Sequence, residues 1–102
     1  MTGRPQIRAI TRIKLFATEE GGRTIAIPQT VFRCLFEIEG EFFDCGLLLE
    51  EAGPLSPGQE ATVPIDFLRP WLLEGRLHCG TTFRLWDLRT IAEGIVLRVL
   101  KF

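Results

Sequence analysis

The stretch Ile65-Asp-Phe-Leu-Arg-Pro-Trp-Leu-Leu-Glu-Gly-Arg-Leu-His-Cys-Gly-Thr-Thr-Phe-Arg-Leu-Trp-Asp-Leu-Arg-Thr-Ile-Ala-Glu-Gly-Ile-Val-Leu-Arg-Val-Leu100 decides how the chain is read. It holds an element opened by Arg69-Pro70, a connection broken by Gly75, and a tight turn at Trp86-Asp87-Leu88 between two apolar runs. Ahead of the turn, Leu77, Cys79, Thr81, Phe83 and Leu85 share one parity. Behind it, Thr90 to Leu100 closes the chain. Successive strand side chains point to opposite faces, so this period of two predicts a hairpin with one buried face.

The same period recurs upstream. From Ile7 to Phe16, one face carries Ile7, Ala9, Thr11, Ile13 and Leu15, and the other Arg8, Ile10, Arg12, Lys14 and Phe16. Glu19-Glu20-Gly21-Gly22 is a turn, because paired glycines supply positive φ, and Thr24 to Ile27 is a short run ended by Pro28. Val31 to Glu39 alternates, Gly40 ends it, and Glu41 to Leu49 forms the next strand. The Pro/Gly-rich loop from Glu50 to Gly58 leads into Ala61, Val63, Ile65 and Phe67, where Pro64 predicts an edge position or a bulge. Trp71 to Glu74 reads as a bridge or a single helical turn. No stretch keeps a 3.6-residue period for three turns. About six strands with regular turn signals predict one all-β domain over residues 1–102, a small closed antiparallel barrel or a sandwich, and closure would hide the strand edges.

Composition sets bounds on function. A chain of 102 residues with 46% hydrophobic and 25% charged residues supports one hydrophobic core. Three cysteines, Cys34, Cys45 and Cys79, form no CxxC pair, which argues against a disulfide framework and for a reducing, cytoplasmic setting. The start, Met-Thr-Gly-Arg-Pro-Gln-Ile-Arg, lacks a signal-peptide core, and no apolar run approaches the ~20 residues that span a bilayer. Net charge is −1 but uneven: residues 1–33 sum to +4, residues 34–68 to −8 with no base at all, and residues 69–102 to +3. Such polarity steers partners if the basic ends of the chain meet in space.

Three segments carry a resemblance. Glu19-Glu20-Gly21-Gly22-Arg23, Leu55-Ser56-Pro57-Gly58-Gln59-Glu60-Ala61-Thr62-Val63 and Gly80-Thr-Thr-Phe83-Arg84-Leu-Trp-Asp87-Leu-Arg89-Thr90-Ile-Ala-Glu-Gly94 resemble, in order and spacing, the first turn, the Pro-Gly segment and the final hairpin of the C-terminal β-barrel (third domain) of elongation factor Tu-like translation factors. The resemblance implies a six-stranded antiparallel barrel and a role in translation. Where that family continues its first turn with residues that support the aminoacyl-tRNA stem, this chain has Thr24-Ile25-Ala26-Ile27, and its final hairpin has Trp86-Asp87-Leu88 in place of Arg-Glu-Gly-Gly. The family's GTPase half is absent. No Gly-x4-Gly-Lys-Ser/Thr loop occurs, and Asn-Lys-x-Asp cannot occur in a chain without asparagine. Neither nucleotide nor cofactor is expected.

Catalytic constellations are weak. His78 and Cys79 are neighbours and would point to opposite faces of a strand, so a zinc site would need Cys34, Cys45 and one of them to converge. Ser56, the only serine, has no nucleophile-elbow context. Glu37, Glu39 and Glu41 are expected to share one strand face, where a row of like charges is solubilising rather than acid–base machinery. The chain reads as non-catalytic.

Two binding surfaces remain. Ten of the twelve bases are arginine, suited to forked phosphate contacts, and Arg8, Arg12, Arg23, Arg84 and Arg89 with Trp86 as a stacking partner outline a face for structured RNA such as a tRNA stem. The other surface is the acidic stretch Glu37 to Glu51, in which Phe42, Phe43, Leu47 and Leu49 form apolar anchors inside a charged rim. A protein partner or a homodimer contact would explain those residues, as would burial in the barrel. A protein-interaction module is the leading expectation.

Overall fold

The computed structural model describes residues 6–17, 27 and 30–102. Among the described residues six strands form, β1 (Ile7–Leu15), β2 (Val31–Ile38), β3 (Glu41–Leu48), β4 (Glu60–Phe67), β5 (Thr82–Trp86) and β6 (Thr90–Lys101), with a 3-10 turn at Pro70–Leu73. They close into a barrel in the order β1-β4-β3-β2-β5-β6, β6 returning to β1, with every neighbouring pair antiparallel. The all-β fold of about six strands expected from alternation is therefore present, and of the barrel and the sandwich that alternation allowed, the chain forms the closed barrel. Among the described residues no helix is long and apolar enough to cross a membrane.

Turn chemistry explains the two hairpins. Glu39 and Gly40, at φ 51° and 80°, both occupy the left-handed region, the condition for a two-residue hairpin turn whose twist matches the strands it joins. They link Ile38 to Glu41 directly, so Glu41 lies on β3 and not on the strand that carries Glu37. The expected row of three carboxylates on one strand is corrected to a cluster around a turn. β5 and β6 are joined through Asp87, Leu88 and Arg89, with the Asp87 N–H donating to the Arg89 carbonyl at 2.8 Å. Leu88 takes φ 67° there without being glycine.

Strand parity places the core. Ile7, Ala9, Thr11, Ile13 and Leu15 of β1 are all buried, as the alternation requires. Phe36 stacks on Phe83 with ring centroids 4.4 Å apart and meets Phe67 edge-on at 5.0 Å, so β2, β4 and β5 share one aromatic cluster. Burial of each such side chain contributes about 1.5–3 kcal/mol. Thr11 is the one buried polar side chain of this core among the described residues, and its hydroxyl donates to the Val63 carbonyl at 2.7 Å. At the end of the barrel marked by the β2–β3 turn, Arg76 lies over the Phe43 ring at 5.3 Å and grips Glu41 with two hydrogen bonds of 2.9 and 3.2 Å. Next to β1 and β6, Gln6 and Phe102 exchange backbone hydrogen bonds of 2.6 and 3.0 Å.

Two expectations change. The run Leu77 to Leu85 is not one strand: Gly80 at φ 95° and a turn in which the Thr81 N–H donates to the His78 carbonyl confine β5 to Thr82–Trp86 and leave Cys79 exposed. Pro64 stands in a strand with neighbours on both sides, yet β4 pairs with β3 only from Ile65 to Phe67, so the ladder on that side has already stopped at Pro64. The edge predicted there is local. The expected turn at Glu19 to Gly22 and most of Thr24 to Ile27 lie outside the described residues; Ile27 itself is buried and bridges Leu55.

Candidate protein-interaction surface

β2 runs outward as Val31, Arg33, Leu35 and Glu37, and Leu35 sits among charges on the solvent face. Its cross-strand neighbours are Asp44 on β3 and Trp86 on β5. The β2–β5 ladder spans only Leu35–Glu37, because β5 turns away after Trp86. The result is a groove of about 380 Å³ over β2, lined by Arg33, Leu35, Asp44, Leu68, Trp86 and Leu88. Phe42 extends it, meeting Trp86 edge-on at 6.0 Å while remaining half exposed.

Leu88 stands out. It is 88% exposed, the highest value of any large apolar side chain among the described residues, and it holds a left-handed backbone that costs an L-residue about 1–2 kcal/mol. A bulky apolar residue thus stands at a position suited to glycine and projects into solvent beside the groove. Leu68 on the opposite wall is 57% exposed.

Of the four anchors expected from sequence, Phe42 alone belongs to this surface. Phe42 and Phe43 have opposite parity on β3, so Phe43 turns inward beneath Arg76, while Leu47 and Leu49 are fully buried. The apolar excess of that stretch is core. Leu35, Leu68 and Leu88 were missed; a leucine on the polar parity of β2 and one in a turn were the available signals.

The arginine face is divided by acids. The Arg8 guanidinium grips Asp66 at 2.7 and 3.0 Å, and that hydrogen bonding raises its pKa. Arg12 reaches Glu60 at 3.4 Å. Arg84 stands in register between Glu37 and Glu93, and Lys14 between Glu93 and Glu60, so charge alternates in sign across five strands. The shallow cleft there, about 640 Å³, is lined by Arg12, Lys14 and Arg84 against Glu37, Glu39, Glu60 and Glu93. Trp86 leans on Phe42 rather than standing free beside Arg84. Arg89 is exposed at the β5–β6 turn, and Arg23 lies outside the described residues.

Of the potential catalytic groups named from sequence, Cys34 and Cys45 are brought together, while Ser56 and Cys79 stand exposed elsewhere. Cys34 and Cys45 face each other with sulfurs 3.7 Å apart, but among the described residues no set of three His, Cys, Asp or Glu side chains is placed to hold a metal ion. Contact with Cys34 and burial push the Cys45 thiol pKa up. Ser56 is exposed, its backbone N–H bound to the Gln59 side chain. Hydrogen bonds from Arg76, and then its charge, hold the Glu41 carboxyl below the usual carboxylate range. No protein-family model and no curated protein matches this chain.

Proposed function

We propose that this barrel is a non-catalytic binding module that docks a protein partner in the groove over β2, through Leu35, Phe42, Trp86 and Leu88. The observation that carries the reading is Leu88, exposed and strained at the tip of the β5–β6 turn. The groove suits an apolar anchor side chain of the partner, and the exposed Asp44 on its rim suits a basic group beside that anchor. The resemblance of its turns and final hairpin to the third domain of elongation factor Tu-like factors supports a partner within the translation apparatus. RNA binding is the weaker reading, because Arg8 and Arg12 are engaged by carboxylates.

The test compares the native chain with Leu88→Gly in capture from lysate at low and high salt, with and without ribonuclease. Leu88→Gly relieves the left-handed strain but adds glycine's unfolded-state freedom, so stability is expected to hold or rise by about 0.5–1 kcal/mol. A partner retained at high salt by the native chain and lost by Leu88→Gly supports the groove. A steep loss with salt that ribonuclease also abolishes would place binding on phosphate contacts instead. Self-association abolished by Leu88→Gly would make the partner a second copy.

A further inference from the structure

The structure assigns a redox-active dithiol to Cys34 and Cys45: the pair closes reversibly into an intrachain disulfide by exchange with a small-molecule disulfide. The two residues are directly opposed on β2 and β3, and their sulfurs are 3.7 Å apart as free thiols. Counting outward from the two-residue turn, Ile38 and Glu41 form a hydrogen-bonded pair, and the alternation of an antiparallel ladder makes Cys34 and Cys45 another. Such pairs have Cα atoms about 5.5 Å apart, inside the window of about 4.4–6.8 Å that a disulfide accepts. The sulfurs must approach to about 2.05 Å and the Cβ atoms, about 5.5 Å apart in such a pair, to about 3.5–4.5 Å, so closure combines side-chain rotation with a drawing together of the hairpin strands by about 1 Å.

Access is asymmetric in the way that exchange requires. Both residues border the groove, but Cys34 is half-buried whereas Cys45 is only 2% exposed. The thiolate of Cys34 attacks one sulfur of the incoming disulfide, forming a mixed disulfide and releasing the first thiol. Cys45 then gives up its proton and attacks the Cys34 sulfur, releasing the second thiol. Two protein thiols are oxidised and one small disulfide is reduced to two thiols, so atoms and electrons balance. A reducing compartment keeps the pair open, and the exchange itself requires no docked partner.

The full chain carrying Cys79→Ser, which removes the exposed third thiol, is equilibrated in glutathione buffers from fully reduced to fully oxidised. It is then quenched with an alkylating reagent under denaturing conditions and weighed. Expected is joint loss of both alkylatable thiols, with a mass lower by two hydrogens, no retained glutathione, and full reversal by dithiothreitol. Adding Cys45→Ser is expected to leave a stable glutathione adduct on Cys34. Both thiols remaining alkylatable in the most oxidised buffer would overturn the assignment, as would a persistent glutathione adduct or an intermolecular dimer with both cysteines present.

Discussion

Gly94 has no room for a methyl group. A Cβ built on it would stand 2.5 Å from the far edge of the Phe83 ring, and 2.9 Å from both the Arg12 carbonyl and the Ile13 side chain. The ring lies against β6 because that residue is glycine, and from there it stacks on Phe36. Gly94→Ala is expected to lose about 1–3 kcal/mol, read as a lower urea midpoint at unchanged slope. Combining it with Phe83→Leu should cost less than the two single changes added together, since the smaller side chain vacates the contested space. An additive pair would show that the ring does not impose the glycine. The sequence displayed Gly94 only as a glycine in an alternating run; the neighbour that demands it lies eleven positions away, and no pattern announces that.

At the β2–β3 hairpin, Arg76 works as a clasp from outside the strands, contacting Glu41, the ring of Phe43 and, at 3.9 Å, Glu39. The Glu41 pKa is lowered in the folded protein, so its share of stability is present above the ordinary glutamate range. That share is lost as pH falls through the lowered value. Glu41→Gln is therefore expected to be less stable than the native chain at neutral pH and to converge with it in acid, as followed by urea midpoints from neutral pH downward. A constant gap at all pH values would sink the clasp. Strands themselves were legible: β1, β2, β3 and β6 end within a residue of where alternation and Gly40 place them. Partner choice was not, because β1 joins β4 and β6 through contacts far apart in sequence that no local period encodes. The surface suffered most. Adjacent Phe42 and Phe43 read as one apolar cluster until β3 sends them to opposite sides, and the groove exists only because β5 stops pairing at Trp86.

Across the whole molecule the ladders are unequal. β1 pairs over seven positions with β4 and nine with β6, and β2 over eight with β3, but the β2–β5 and β3–β4 seams have three each. The barrel is thus a sheet of β5, β6, β1 and β4 closed by one hairpin that two short seams attach. Native-state hydrogen exchange should show amides bonded across those seams opening roughly tenfold or more faster than those of Ala9 to Ile13, about 1.4 kcal/mol in opening free energy. Uniform protection would mean that the barrel opens only as a unit. The backbone bonds between Gln6 and Phe102 carry a different consequence. They set Gln6 and Phe102 side by side, so the order in which the chain visits its strands is separable from the arrangement they reach. A host protein could take up the barrel between two adjacent residues of a loop, since the path in and the path out share one doorway.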